Sequence, residues 1–397
     1  MIPYGRQQIS EEDIESVVDV LRSDFLTQGP VVPQFEQAVC DYTGAKFAVA
    51  VNSGTSALHI ACLALGLQQG DWLWTTPITF VASANCGLYC GAQVDFVDID
   101  PLTWNLSISV LEEKLAHAKT QRRLPKIVVA VHFAGLPCEM ERIRQLSKEY
   151  GFSIIEDACH AMGGCYQGVP IGAGAYSDIT IFSFHPVKNI TTGEGGMTVT
   201  NSAELAGQMK RLRSHGITSE PQQMTRSPDG PWYYQQIGLG FNYRMTDLQA
   251  ALGLSQLKKL DEFIASRRRI ATTYDYELSA FPLQLPYHTA QNNTLSGLHL
   301  YVVRLQQGSV HNRKELLENL RACGINVHVH YIPVYAQPYY QQFGYNREDF
   351  PEAEKYYSQA LTLPIYPSMG KRDQQTVIAA LHEELTRQTN KKEFVKS

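Results

Sequence analysis

The chain has 397 residues, 44% hydrophobic and 18% charged, with a formal net charge of −5. That profile suits a globular protein with a large core and excludes a chain-wide nucleic-acid footprint. No stretch approaches the roughly 20 uninterrupted apolar residues of a membrane span, and the opening MIPYGRQQIS lacks a secretory pattern, so the cytoplasm is the expected location.

In chain order, a short helix is expected over Glu11–Ser23 with Ser10 as its N-cap. Strands are expected at Phe47–Val51, Val94–Ile99, Lys126–Val131, Ser153–Glu156, Ile179–Phe184 and Met197–Thr200. Amphipathic stretches such as Ser56–Leu67, Val110–Ala118 and Met140–Tyr150 lie between them. This alternation predicts an α/β fold, a largely parallel sheet with helices on both faces. The last strand follows Gly193-Glu194-Gly195-Gly196 with no room for a crossover helix, so antiparallel pairing is expected there. One helical pattern runs from Thr246 to about Leu278 and carries Arg267-Arg268-Arg269, read as a solvated face. From Leu298 the pattern turns strand-rich (LHLYVVRL), passes a helix near Arg313–Cys323 and returns as INVHVHYIPVY. A large domain over 1–255, with its N-terminal arm, and a smaller α+β domain over 256–397 follow. The polar end, TRQTNKKEFVKS, is expected to fray. Eight cysteines form no C-x-x-C pair, so no metal site or disulfide framework is expected.

In open α/β sheets ligands gather at the carboxyl ends of strands. The first such end is Asn52-Ser53-Gly54-Thr55-Ser56, small residues leading straight into a helix. Its free N–H groups and partial positive charge suit a phosphate; simple capping by Ser53 or Thr55 would use the same residues. The second is Glu156-Asp157-Ala158-Cys159-His160. Asp157 could hold a ring nitrogen protonated, or serve as a structural cap, surface acid or metal ligand. His160 could stack on a ring or be a satisfied core histidine. The third is Ile181-Phe182-Ser183-Phe184-His185-Pro186-Val187-Lys188. Ser183 can donate to a phosphate. A desolvated Lys188 can form a Schiff base with an aldehyde and then shuttle protons. Phe80, in Thr76-Pro77-Ile78-Thr79-Phe80, could stack on a flat ring or belong to the core. In this order the four features match the phosphate, pyridine ring, ring nitrogen and aldehyde of pyridoxal 5'-phosphate (PLP).

The segments NSGTSALH, TPITFVAS, EDACHAMG, SFHPVKNITTGEGG, GFNYRMTDLQAALG and HYIPVY resemble the DegT-type sugar aminotransferases over nearly the whole chain. SFHPVK with TTGEGG is most similar to the PseC-like branch, which aminates a UDP-linked 4-keto-6-deoxy sugar on the route to pseudaminic acid. The resemblance implies the fold-type I PLP architecture, with a mostly parallel seven-stranded sheet. It implies catalytic Lys188 and Asp157, with Gly54, Thr55 and Ser183 on the phosphate. Phe80 would lie over the ring with His160 near it, and Asn242 would reach the phosphate of a partner subunit in a homodimer. Tyr4, the segment Asp24-Phe25-Leu26-Thr27, and His328-Val329-His330-Tyr331 resemble sugar-nucleotide contacts.

The implied activity is transfer of an amino group from glutamate to C4 of a UDP-linked 4-keto-6-deoxy-N-acetylhexosamine, with pyridoxamine phosphate (PMP) as the amino-carrying form. Arg244 is a candidate for the donor carboxylate. Neither nucleic acid nor membrane is an expected partner. Two alternatives share the scaffold: a PLP-dependent nucleotide-sugar dehydratase, whose relatives carry histidine where Lys188 stands, and a non-catalytic PLP-binding regulator. A nicotinamide dehydrogenase fails because Gly172-Ala173-Gly174 does not open a helix after a strand.

Overall fold

The computed structural model describes residues 1–290, 293–306 and 312–396. The N-terminal helix α1 (Glu11–Arg22) starts as expected, with a reciprocal capping box between Ser10 and Asp13. Asp13 is fully buried and also accepts from Ser255 Oγ at 2.5 Å and Gln256 Nε2 at 2.7 Å. A second helix, α2 (Val31–Thr43), was not expected. Pro30 gives it no side-chain cap; instead the distant Asp247 carboxylate accepts from the amides of Val31 and Val32, both at 3.2 Å.

The chain then alternates through β1 (Phe47–Val51), α3 (Gly54–Ala64), β2 (Trp72–Thr75), α4 (Ala82–Tyr89), β3 (Gln93–Phe96), α5 (Ile108–Gln121), β4 (Ile127–Val131), α6 (Met140–Tyr150), β5 (Ser153–Asp157), β6 (Ile179–Ser183), β7 (Gly196–Thr200) and α7 (Ala203–Arg213). The seven strands form one sheet in the order β1-β7-β6-β5-β4-β2-β3. β7 runs antiparallel to both neighbours, and the remaining pairs are parallel. Strand residues split by parity between two buried faces. Val49, Val51, Val129, Val131, Ile155 and Ile181 enter one core, while Ala48, Ala50, Val128, Ala130, Ile154 and Phe182 enter the cores opposite. That explains the continuous apolar runs, because both faces are covered by helices. β2 is the strand the sequence reading missed: four residues are too few for a periodicity to stand out.

The pattern from Thr246 is two helices, α8 (Asp247–Leu257) and α9 (Leu260–Leu278). Arg267 on α9 is fully buried, not solvated. Its Nη1 donates to the carbonyls of His299 and Ile365 at 3.1 and 3.0 Å, which offsets part of the cost of burying its charge. Farther on, β8 (Leu283–Gln284), β9 (Tyr301–Leu305), α10 (Arg313–Ala322), α11 (Pro351–Gln359, counting helices of eight residues or more), β10 (Ala360–Leu363) and α12 (Lys371–Lys396) complete the chain. β8, β9 and β10 form a three-stranded antiparallel sheet. The segment INVHVHYIPVY, expected to be strand-rich, forms no regular strand. It is an extended strap held by single bridges, Ile325 to Ile2 and His328 to Thr362, before a turn at Val334–Ala336. α12 runs on to Lys396, through the segment expected to fray.

Candidate active site

A cavity of about 730 Å³ opens at the carboxyl ends of the central strands. One end is made where β1 turns into α3. Ser53 caps that helix by accepting from the Ser56 amide at 3.1 Å. The amides of Gly54 and Thr55 precede the first intrahelical bond, and both residues line the cavity. A Cβ on Gly54 would lie 3.0 Å from Ser183 Cβ, so the missing side chain leaves a small cradle beside that hydroxyl-bearing residue. Gly196 lets the turn close: a Cβ there would sit 2.4 Å from the carbonyl oxygen of Ser53.

Asp157 ends β5 and is buried in the cavity wall. Its Oδ1 accepts from the Cys159 amide at 3.2 Å and its Oδ2 from Ser83 Oγ at 2.6 Å. Lys188 follows β6 in a turn closed by its own amide on the His185 carbonyl, 2.9 Å. The next residue, Asn189, is buried and donates to the carbonyls of Met162 and Gly297 at 2.7 and 2.9 Å, which fixes the turn. Among the described residues lining the cavity, Lys188 is the one lysine or arginine. Burial lowers its pKa, while Cys159 and Asp157 act in the opposite sense, so the neutral amine becomes easier to reach.

A wall of rings faces this end. Tyr331 and His160 stack at 6.1 Å with a 20° interplanar angle, and the Tyr331 hydroxyl meets His160 Nε2 at 3.2 Å. His299 lies 4.5 Å from His160 between ring centroids, and His330 lies 5.1 Å from Tyr4. Burial pushes His160 and His299 well below the usual histidine range and His330 down to about 3, with Lys188 adding in each case. All three imidazoles are therefore neutral near pH 7. His160 Nδ1 and His299 Nδ1 have no protein partner among the described residues. Phe80, 57% exposed, stands 6.3 Å from the Tyr331 ring.

Of the candidate residues, Gly54, Thr55, Phe80, Asp157, His160, Ser183, Lys188, Tyr4, His330 and Tyr331 line one cavity. The others do not. Asp24, Phe25, Leu26 and Thr27 are exposed between α1 and α2, away from it. His328 and Val329 approach through the strap without lining it, although the His328 ring reaches Tyr4 at 5.5 Å. Asn242 is exposed outside it, and Arg244 pairs through its backbone with Val51. Thr79, Ser83, Cys159, His299 and Glu194 line the cavity and were not singled out by sequence. His299 was hidden inside a strand-like run. Thr79 and Ser83 were hidden by their ordinary chemistry, with only an i, i+4 spacing to mark them.

A profile of the DegT/DnrJ/EryC1/StrS aminotransferase family matches residues 7–382. The chain belongs to that family. It is 39% identical over 94% of both chains to the UDP-4-amino-4,6-dideoxy-N-acetyl-beta-L-altrosamine transaminase of Campylobacter jejuni. Among solved structures it is similar to Helicobacter pylori PseC, an aminotransferase involved in the biosynthesis of pseudoaminic acid, with TM-score 0.86, 32% identity and coverage of 97% and 99%. It is also similar to the putative sugar aminotransferase Spr1654 of Streptococcus pneumoniae. The PMP form of that protein gives TM-score 0.89 and 27% identity over 98% of this chain and 100% of that one, and a PLP form is known too. The fold is therefore fold-type I, and the family is one of sugar aminotransferases.

Proposed function

We propose that this member of the family is a PLP-dependent nucleotide-sugar transaminase that moves an amino group from glutamate to C4 of a UDP-linked 4-keto-6-deoxy-N-acetylhexosamine, on the pseudaminic acid route. The observation that carries the reading is the pairing, in one cavity, of a half-buried lysine with a doubly hydrogen-bonded aspartate and a helix N-terminal anion cradle. The residues fit the cofactor on the structure's own terms. The space left by the absent Gly54 Cβ, the amides of Gly54 and Thr55 and the Ser183 hydroxyl suit a phosphate. The Asp157 carboxylate suits a protonated ring nitrogen. Phe80 and His160 offer ring faces.

When bound, PLP supplies an aldehyde that exchanges amino groups and a protonated ring that accepts charge from the substrate carbon. Lys188 would hold that aldehyde through Nζ, and its lowered pKa would suit Nζ to take a proton from the donor α-carbon and return one later. Asp157 would accept a hydrogen bond from the protonated ring nitrogen. Tyr331, His160 and His330 close the substrate side with neutral groups, which screen the amine from water without competing for its proton. Tyr4 and the strap at His328–Tyr331 offer hydrogen-bonding groups to a sugar nucleotide.

Assembly enters the same reading. Asn242, Asp24 and Thr27 are exposed and outside the cavity of their own chain, which supports a homodimer whose sites take residues from both subunits. Division near residue 255 is supported by the helix break at Lys258-Lys259. A cytoplasmic location is proposed with it; among the described residues no helix is long and apolar enough to cross a membrane. Borohydride reduction of the PLP-loaded protein, followed by peptide mass analysis, should place the label on Lys188. The loaded enzyme should then convert glutamate and the UDP-4-keto sugar into 2-oxoglutarate and a 4-amino sugar. A label elsewhere, or a dehydrated sugar without amine, would overturn the reading.

A further inference from the structure

The side chain that fixes Asp157 is not part of any strand end. Ser83 sits in the first turn of α4 and is 1% exposed. Its Oγ is 2.6 Å from Asp157 Oδ2 and 2.8 Å from Thr79 Oγ1. Thr79 is itself 3% exposed and lies in the turn that leads into α4. A hydroxyl has one proton to give. An ionised carboxylate can only accept, so the Ser83 proton goes to Asp157, and Ser83 Oγ must accept from Thr79. The bonds then run in one direction, from Thr79 to Ser83 to Asp157. Such chains polarise one another in a buried setting. With the Cys159 amide on Oδ1, both carboxylate oxygens are fixed and the group cannot rotate freely.

We infer that Thr79 and Ser83 are positioning residues that orient Asp157 and decide on which side of the Asp157–cofactor contact the proton rests. This rests on the PLP reading above. Donors to a carboxylate favour its charged form. With both hydroxyls in place the proton stays on the cofactor's ring nitrogen. Without them the carboxylate is held by the Cys159 amide alone, and the ring nitrogen loses part of the charge-assisted contact that favours its protonated form. Both residues line the cavity, but their hydroxyls are engaged in this chain of bonds, so their loss acts on the ring nitrogen through Asp157.

The test is the 15N chemical shift of the ring nitrogen in protein loaded with 15N-labelled PLP, recorded beside kcat and KM. The wild type should show the protonated shift. Ser83→Ala should move it towards the neutral position and lower kcat about 10- to 100-fold, the loss expected when a bond to a charged group is removed, with KM for the sugar nucleotide little changed. Thr79→Val keeps the side-chain shape and removes only the outer donor. It should move the shift the same way by less and lower kcat about threefold. Thr79→Ser should recover the wild-type shift from that state. If Ser83→Ala does not fold, the Thr79 pair decides. A protonated shift and kcat within twofold of wild type in Thr79→Val, and in Ser83→Ala where it folds, would overturn the inference while leaving the transaminase intact. Failure of the wild type to take up PLP would instead overturn the reading beneath it.

Discussion

The two ends of the cavity are built differently. The end with Gly54, Asp157, Ser183 and Lys188 comes from the carboxyl termini of β1, β5 and β6, three strands of one sheet. The end with Tyr4, His330 and Tyr331 comes from an N-terminal arm and a strap held by single bridges. The first is built from one chain's sheet, to which our proposal adds only a phosphate contact from a second subunit. The second leaves Asp24–Thr27 exposed and apart. A cofactor that stays can be gripped by a rigid sheet, whereas a substrate that must enter and leave is met by loops and, in our proposal, by a second subunit.

The sheet end should break most sharply. Lys188→Ala should lower turnover at least about 10³-fold, since the proton-transfer group itself is lost; steady-state assay of the loaded variant checks this. The partner contribution gives the next largest effect. Lys188→Ala and Asn242→Ala homodimers should each be inactive or nearly so. Mixed and allowed to exchange, they should regain up to about a quarter of wild-type activity, because half the dimers carry one intact site in two. No recovery on mixing would confine Asn242 to its own chain.

At the strap end, Tyr331→Phe removes the 3.2 Å contact to His160. A several-fold loss is expected, about 1 kcal/mol, read in kcat/KM for the sugar. A stability effect follows from the same ring wall. His330 titrates at about 3 in the folded chain against an ordinary 6.5, and His160 and His299 are lowered too. The unfolded chain therefore binds more protons as pH falls below about 6.5. The stabilising contribution is full above that value and is lost progressively towards pH 3. Thermal melts across that range should show Tm falling, and replacing His299 with Asn should flatten the slope.

The contrast between the ends also explains what could be read from sequence. Strand-end chemistry was legible because apolar runs announce where strands stop, and Asp157 and Lys188 follow such stops. Elements defined by distant partners were not. α2 takes its cap from Asp247, more than 200 positions away in sequence. Arg267 looked solvated in a run of three arginines, yet three backbone carbonyls receive it in the core. The extended strap resembled strands because its residues alternate, but the sheet it faces offers it only one bridge, His328 to Thr362. Ser83 and Thr79 carried only an i, i+4 spacing until the fold brought α4 beside β5.

The central claim is tested most directly by the visible absorbance of the PLP-loaded protein through one full cycle. Glutamate alone should abolish the band of the lysine-bound cofactor, and the UDP-4-keto-6-deoxy sugar added afterwards should restore it. A band that ignores glutamate while the sugar is consumed would contradict the account, as would a chain that takes up no PLP.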